Sequence, residues 1–428
     1  MVIQTGEPVI DPRLLFTRLF DAAVAAADPV ATIRDFLPPR PKGRTVVIGA
    51  GKAAAAMAAA FDTAFDGPLT GVVVTRHGQH AAAGRIRVLE ASHPVPDAAG
   101  LEASAQLFAA VQGLSADDLV VALISGGGSA LLPSPPAGMS LAEEIAVNQA
   151  LLASGAPIAA MNTVRKHLST IKGGRLALAA HPAKVVTLVI SDIPGDNPAF
   201  VASGPTVADH ASRHEALAIV HDYGLVLPSA ALRHLGSSAA DAPRPDDPRF
   251  QDNAVHVIAS AARSLEAAAN EAARHGVEAV ILSDSIEGEA RDVAGVHAAI
   301  AREIARHGRP FTRPSLLLSG GETTVTVGQG GGKGGRNGEF LLAFALAVDG
   351  WADIHAFAAD TDGIDGAGDN AGAFADGNAA ARMRAVGIDP RAALSRHDSW
   401  TAFNAIDALF SPGPTGTNVN DLRAMLVR

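Results

Sequence analysis

Thr45-Val46-Val47-Ile48-Gly49-Ala50-Gly51-Lys52-Ala53-Ala54 is the stretch whose reading sets the fold class. Val46, Val47 and Ile48 are β-branched and uninterrupted by polar residues, as suits a strand buried on both faces. Two glycines then permit a tight turn, and the alanine-rich run over residues 52–65 reads as a helix. Outward from this unit the alternation repeats. Strands are predicted at residues 71–74, 86–89, 119–124 and 185–190, and helices at 98–112, 141–154 and 158–179. Short apolar strands alternating with helices predict an α/β protein with an open, mostly parallel sheet covered on both faces.

An amphipathic helix is expected over residues 14–36, closed by Pro38-Pro39. The segment Pro243-Arg244-Pro245-Asp246-Asp247-Pro248 reads as a linker. Beyond it strands are predicted at 255–258, 280–282, 316–318, 323–327 and 355–358, with helices at 262–275, 290–307 and 340–348. This organisation predicts two α/β domains, residues 1–245 and 246–428. Ligands of open α/β sheets gather at the carboxyl ends of strands. The unusual loops, at residues 49–52, 125–129, 191–196, 319–322 and 360–362, all follow predicted strands and come from both halves. A shared cleft between the domains is the expectation.

Composition narrows the chemistry. The 428 residues contain no cysteine, which excludes disulfides, thiolate metal sites and a cysteine nucleophile. Net charge is −10 and aromatics are 4%, so neither a basic footprint nor a stacking platform favours nucleic acid. No apolar run reaches membrane-spanning length, and the first twelve residues lack a signal-peptide pattern, so a cytoplasmic protein is expected. The sequence leaves open a homodimer.

Glycine marks the candidate sites. Gly49-Ala50-Gly51-Lys52-Ala53-Ala54 fits the G-x-G-x-x-A dinucleotide pattern. The next strand ends at Thr75-Arg76 rather than at an acid, which weakens NAD and could suit NADP. Lys52, read as part of the helix's first turn, would sit at the positive end of the dipole and so calls for an anionic partner. Ser125-Gly126-Gly127-Gly128-Ser129 ends a strand with three glycines and two hydroxyls, a pattern suited to a phosphate or carboxylate. Ser129 lacks the flanking glycines of a hydrolase elbow, since Leu131 fills one of the positions.

In the second half, Gly320-Gly321-Glu322-Thr323-Thr324 precedes a glycine-rich run over residues 328–338 that carries Lys333, Arg336 and Asn337. Residues 330–337 narrowly miss the P-loop pattern, because Arg336 and Asn337 replace its lysine and hydroxyl residue. Arg336 still suits a phosphoryl group through its planar fork. Asn162, Arg165 and Lys166 lie on a cationic helix. Asp360-Thr361-Asp362-Gly363-Ile364-Asp365 fails as a calcium loop, because Ile364 stands at a ligand position. Asp192, Asp196, Glu322, Asp360 and Asp362 remain candidates for magnesium, which needs only one or two carboxylates plus phosphates.

These pieces together resemble the glycerate 2-kinases that carry a C-terminal MOFRL domain. The resemblance rests on Gly49-Ala50-Gly51-Lys52-Ala53, Ser92-His93-Pro94-Val95-Pro96-Asp97, Ser125-Gly126-Gly127-Gly128-Ser129-Ala130-Leu131 and Asn162-Thr163-Val164-Arg165-Lys166-His167-Leu168-Ser169. It rests further on Ser191-Asp192-Ile193-Pro194-Gly195-Asp196, Ser203-Gly204-Pro205-Thr206, Ser319-Gly320-Gly321-Glu322-Thr323-Thr324, Gly334-Gly335-Arg336-Asn337 and Thr361-Asp362-Gly363 with Asp365-Gly366. It implies a Rossmann-like N-terminal domain and a distinct C-terminal α/β domain. It implies ATP-dependent phosphorylation of D-glycerate at its 2-hydroxyl with a divalent cation, here expected to be Mg2+. The key lysine and arginine map to Lys52 and Arg336. On this reading Mg2+ sits on one or two of Asp192, Glu322 and Asp362, and Asp192 orients the hydroxyl if it is not on the metal. Anion or substrate contacts are expected from Ser125, Gly126, Gly127, Gly128, Ser129, Asn162, Arg165, Lys166, Gly320, Gly321, Glu322, Thr323 and Asn337. The alternatives are an NADP-dependent hydroxypyruvate reductase, a name some members carry, and a non-catalytic sensor of sugar acids.

Overall fold

The computed structural model describes residues 11–79, 81–327, 331–366 and 368–428. Gly328, Gln329 and Gly330 of the glycine run, and most of the stretch read for a signal peptide, therefore lie outside the described residues. Chain contacts divide the protein into two units, Pro29–Ile258 and the segment ending at Asp28 together with Ala259–Arg428.

The first unit holds six strands: β1 (Thr45–Ala50), β2 (Thr70–Arg76), β3 (Ile86–Ala91), β4 (Leu119–Ser125), β5 (Lys184–Ile190) and β6 (Ala254–Ala259). Their order is β3-β2-β1-β4-β5-β6, and β3 through β5 pair in parallel. Every residue of β1 and β4 is buried, as their continuous apolar runs require. One core joins Ile48, Val74, Val120 and Val189 of the sheet to Leu107 and Leu176 of flanking helices.

The second unit holds β7 (Ala279–Ser283), β8 (Gly288–Glu289), β9 (Ser315–Ser319), β10 (Thr323–Thr324), β11 (Ile354–Asp360), β12 (Gly372–Asp376), β13 (Leu409–Phe410) and β14 (Asp421–Val427). Six of them form a sheet of order β13-β12-β11-β14-β9-β7, while β8 and β10 pair separately. Only β7 and β9 run parallel in the larger sheet; its other pairs are antiparallel. The class is α/β as expected, but this second sheet is mixed.

Four strands, β8, β12, β13 and β14, have no counterpart in the sequence reading. β14 is the consequential one, because it sits centrally between β11 and β9. Its residues Asp421-Leu422-Arg423-Ala424-Met425-Leu426-Val427 are largely helix formers, and sheet pairing overrides that preference.

The domain division also differs from 1–245 and 246–428. β6 adds to the first sheet, so that unit runs past the proline-rich segment. The expected helix over 14–36 ends at Ala25, and a separate short helix begins at Pro29. The helix Pro12–Ala25 packs Phe16 and Phe20 against Phe357 of β11, which places the N-terminal segment in the second unit. The helix expected over 158–179 is likewise interrupted. It stops at His167 and resumes at Arg175, after Gly173 and Gly174 take left-handed φ of 63° and 82°. Among the described residues no helix is long and apolar enough to cross a membrane.

Candidate active site

In the first unit the unusual residues collect where β1, β2, β4 and β5 end. The glycines of the dinucleotide-like pattern serve packing. A Cβ on Gly49 would overlap the Leu123 carbonyl, and one on Gly51 would overlap Ser125. The Lys52 N–H donates to the Gly126 carbonyl (2.8 Å), and the Ala53 N–H donates to Ser125 Oγ (3.0 Å). The Ala54 N–H donates to the Gly51 carbonyl (3.1 Å). The helix itself begins at Ala54, so Lys52 precedes it and does not lie within its first turn. These N–H groups are satisfied within the protein and do not form an open pyrophosphate cradle.

The Lys52 side chain projects from this tied-down turn. Among the described residues it has no carboxylate partner, and neither does Arg76 at the end of β2. Asp192, following β5, lies against the second loop, where a Cβ on Gly126 would overlap its carboxylate. Gly127 takes φ 79° at the start of the short helix Gly128–Leu131. A Cβ there would stand 3.2 Å from both the His93 ring and Lys52 Cγ. Burial, with the Lys52 and Arg76 charges adding, pushes the His93 pKa down to about 4, so its imidazole is neutral near pH 7.

Ser129 Oγ lies 3.0 Å from Ser203 Oγ, which donates to Asn162 Oδ1 at 3.0 Å. Ala202 and Ser203 hold φ of 53° and 59°, a left-handed conformation that costs L-residues on the order of 1 kcal/mol each. Ser125, Gly126, Gly127, Gly128, Ser129, Asn162, Lys52 and Asp192 therefore all belong to one unit, tied by these contacts.

Arg165 reaches this cluster, because its Nη1 donates to Asn162 Oδ1 (3.4 Å), whereas Lys166 does not join it as a free cation. Arg165 Nε donates to Asn148 Oδ1 at 2.8 Å. Lys166 is 2% exposed and pairs with Asp209, and burial lowers its pKa to about 8. Lys166 is structural here, because the helix turns it into the protein against Asp209.

In the second unit Arg336 opens the helix Arg336–Ala347. Its guanidinium is fully engaged by acids. Nε donates to Asp421 (2.9 Å), Nη1 to Glu322 (2.8 Å) and Nη2 to Asp360 (2.7 Å). Burial opposes this charge, but Asp421, Asp360 and Glu322 outweigh it and raise the arginine pKa further. Asp421 also accepts from Asn337 Nδ2 (2.7 Å) and from the fully buried Arg423 (2.6 Å). Burial raises the Asp360 pKa above its ordinary value against the pull of Arg336, and Asp421 and Asp362 add to the rise.

Asp365 accepts from the backbone N–H groups of Asn337 (3.0 Å) and Gly338 (2.8 Å), fixing the helix start that carries Arg336. Burial, resisted by these two bonds, raises its pKa to about 6.

Several expected anion contacts in this unit turn out to hold the protein together. The Gly320 N–H donates to the Ser283 carbonyl (2.8 Å), and the Gly321 carbonyl accepts from Asp421 N–H (3.2 Å). Thr323 Oγ1 accepts from Arg423, and Asn337 is wholly buried. The described part of the glycine run docks on neighbouring chain. Gly332 N–H donates to the Arg396 carbonyl (2.7 Å), and Lys333 Nζ stands 3.5 Å above the Trp400 ring. A cavity of about 540 Å³ adjoins it, lined in part by Glu322, Val327, Gly335, Arg336 and His397.

The expected metal ligands are dispersed in role. Glu322 binds Arg336, Asp362 Oδ1 accepts from the Ile364 N–H (2.8 Å), and Asp192 belongs to the first unit. Among the described residues no group of three or more His, Cys, Asp or Glu is arranged to hold a metal ion.

The structure adds His93, Ser203, Asp421 and Arg423, to which the sequence reading assigned no role, and Arg76, which it weighed only as a residue that could suit NADP. A usable signal existed for two of them. Asp421 and Arg423 are charges in an otherwise apolar C-terminal run, and a charge there needs a buried partner.

Family profiles match residues 15–236 to a domain of unknown function, DUF4147, and residues 315–421 to the MOFRL family. A protein of Agrobacterium vitis, provisionally named hydroxypyruvate reductase, is 54% identical over 98% of this chain and 95% of its own length. The D-glycerate 2-kinase of Thermotoga maritima is 38% identical over 96% of this chain and 97% of its own. The crystal structure of a glycerate kinase from the same organism superposes with a TM-score of 0.87 at 36% identity. It covers 97% of this chain and 99% of that one. The whole-length likeness, reaching through both profile matches, shows that the chain belongs to the glycerate 2-kinase family with a MOFRL domain.

Proposed function

We propose that this protein transfers the terminal phosphoryl group of ATP to the 2-hydroxyl of D-glycerate, forming 2-phosphoglycerate. The observation that carries the reading is the likeness to glycerate 2-kinases along nearly the entire chain. In the reaction the 2-hydroxyl oxygen bonds to the γ-phosphorus as the bond to ADP breaks, and the hydroxyl proton is released. Such transfer asks mainly for positioning and charge neutralisation.

Lys52, with no carboxylate partner among the described residues, supplies a cation for an anionic group. Asp192, against the Gly126 backbone, orients the hydroxyl and takes its proton. Arg336 meets the transferring group after exchanging a carboxylate. Glu322 is the member it can release, being 50% exposed where Asp360 and Asp421 are 6% and 0%. Among the described residues no three acids are arranged to hold a metal ion, which fits Mg2+ only as a partner of the nucleotide phosphates with one or two of Asp192, Glu322 and Asp362. Bound that way, it would neutralise phosphate charge.

The NADP-dependent reductase reading draws on the name of the Agrobacterium relative. Against it stand the occupied N–H groups at residues 52–54 and the glycines that pack on β4. One preparation decides. ADP release dependent on D-glycerate, with phosphorus NMR identifying 2-phosphoglycerate, is the expected result. NADPH oxidation by hydroxypyruvate with no ADP release would overturn it.

A further inference from the structure

Arg76 and His93 are polar residues beside Lys52 that the proposed chemistry leaves unused. Gln79 joins two of these groups. With its amide oriented to satisfy both neighbours, it accepts from Arg76 Nη2 (3.2 Å) and donates to the Lys52 carbonyl (3.3 Å). Thr75 Oγ1 donates to the same carbonyl (3.3 Å). The left-handed Gly127 lets the His93 Nε2 edge and the Lys52 stem approach one point, each 3.2 Å from where a Cβ would stand. The result is two cations without carboxylate partners among the described residues, with an imidazole against the stem of one of them.

From this arrangement we infer that Lys52, Arg76 and His93 form a subsite for the head of a small 2-hydroxy acid. Lys52 and Arg76 hold the carboxylate, and His93 hydrogen-bonds the adjacent hydroxyl. The inference rests on the glycerate reading above and deepens it. Charge count favours a carboxylate over a phosphate. Two cations with the Asp192 carboxylate on the neighbouring loop leave a net charge of about +1, which matches a monoanion and not a triphosphate tail. The planar guanidinium fork fits two carboxylate oxygens. A neutral imidazole can accept a hydrogen bond from a hydroxyl, which an imidazolium cannot. At its low pKa the ring is a weak base, so His93 reads the hydroxyl and does not remove its proton.

The test is equilibrium binding of D-glycerate, D-lactate, propionate and ATP to the full-length protein, by calorimetry. The variants are Arg76→Ala, Arg76→Lys, His93→Ala and His93→Gln, each first checked for an unchanged melting temperature. Arg76→Ala is expected to weaken both hydroxy acids at least tenfold, with ATP affinity within twofold of wild type and part of the loss restored in Arg76→Lys. His93→Ala is expected to abolish the preference for lactate over propionate, and His93→Gln to retain it. Steady-state kinetics should show the loss in KM for glycerate and not in kcat.

Hydroxy-acid affinities within twofold of wild type in Arg76→Ala and His93→Ala would overturn the inference. So would an equal loss of ATP affinity. Binding that behaves as expected in a protein that transfers no phosphoryl group would leave this subsite standing and remove the kinase reading instead.

Discussion

Lys52 and Arg336 are the two cations singled out by the glycine-rich segments around them, and the protein treats them oppositely. In the parallel-sheet unit the backbone at residues 52–54 is satisfied locally, and the lysine ammonium is left without an acid among the described residues. In the mixed-sheet unit three carboxylates engage one guanidinium, two of them almost wholly buried. The first arrangement is ready for an anion. The second needs an exchange of partners before Arg336 can serve one. Glycine content and a basic residue thus mark two physically different places.

The largest test of this contrast is Arg336→Ala. Removing the arginine leaves Asp360 without its counter-charge and Asp421 with Arg423 alone, and breaking such a buried pair costs about 3–5 kcal/mol. A large drop in melting temperature should therefore accompany lost turnover. An unchanged melting temperature would show that the carboxylate cage is not structural.

Lys52→Ala should behave differently. Turnover in the coupled ADP assay should fall on the order of 10²–10³-fold, while stability stays within about 0.5 kcal/mol because no ion pair is broken. A destabilised Lys52→Ala protein would erase the distinction between the two cations.

A smaller effect concerns acid stability in the parallel-sheet unit. His167 is fully buried and donates Nδ1–H to the Thr163 carbonyl at 2.7 Å, while its Nε2 has no partner among the described residues. Burial lowers its pKa to about 4, with Lys166 and Arg175 adding, against a usual 6.5. The unfolded chain therefore binds more protons between these values, and stability falls as pH drops from 6.5 toward 4. The contribution is on the order of 1 kcal/mol per pH unit. His167→Gln should show a shallower decline in melting temperature over that window, and a slope equal to wild type would refute the assignment. The smallest effect is expected from Glu322→Gln, under about 1 kcal/mol, since the glutamate is half exposed and solvent screens its pair with Arg336. A loss as large as that of Arg336→Ala would mean that Glu322 is not the exchangeable partner.

What could be read from the sequence follows from which forces are local. The strand–turn–helix of residues 45–64 was legible, because a β-branched run, paired glycines and an alanine-rich segment each encode their conformation over a few residues. So was the coincidence of unusual loops with strand ends. The mixed sheet was not legible, because β14 is stabilised by pairing with β9 and β11, remote in the chain, against its own helical preference. For the same reason the sequence placed the boundary at a proline-rich segment, whereas long-range pairing carries β6 into the first sheet.

The sequence by itself determined the α/β class, the family resemblance and the short roll of charged residues at glycine-rich turns. Only the tertiary structure decided which of those charges are neutralised. Lys166 meets Asp209 and Arg336 meets Asp421 at sequence separations of 43 and 85 positions, respectively. A charge's partner depends on proximity in space, and residue type reports only that some partner, protein or ligand, is required.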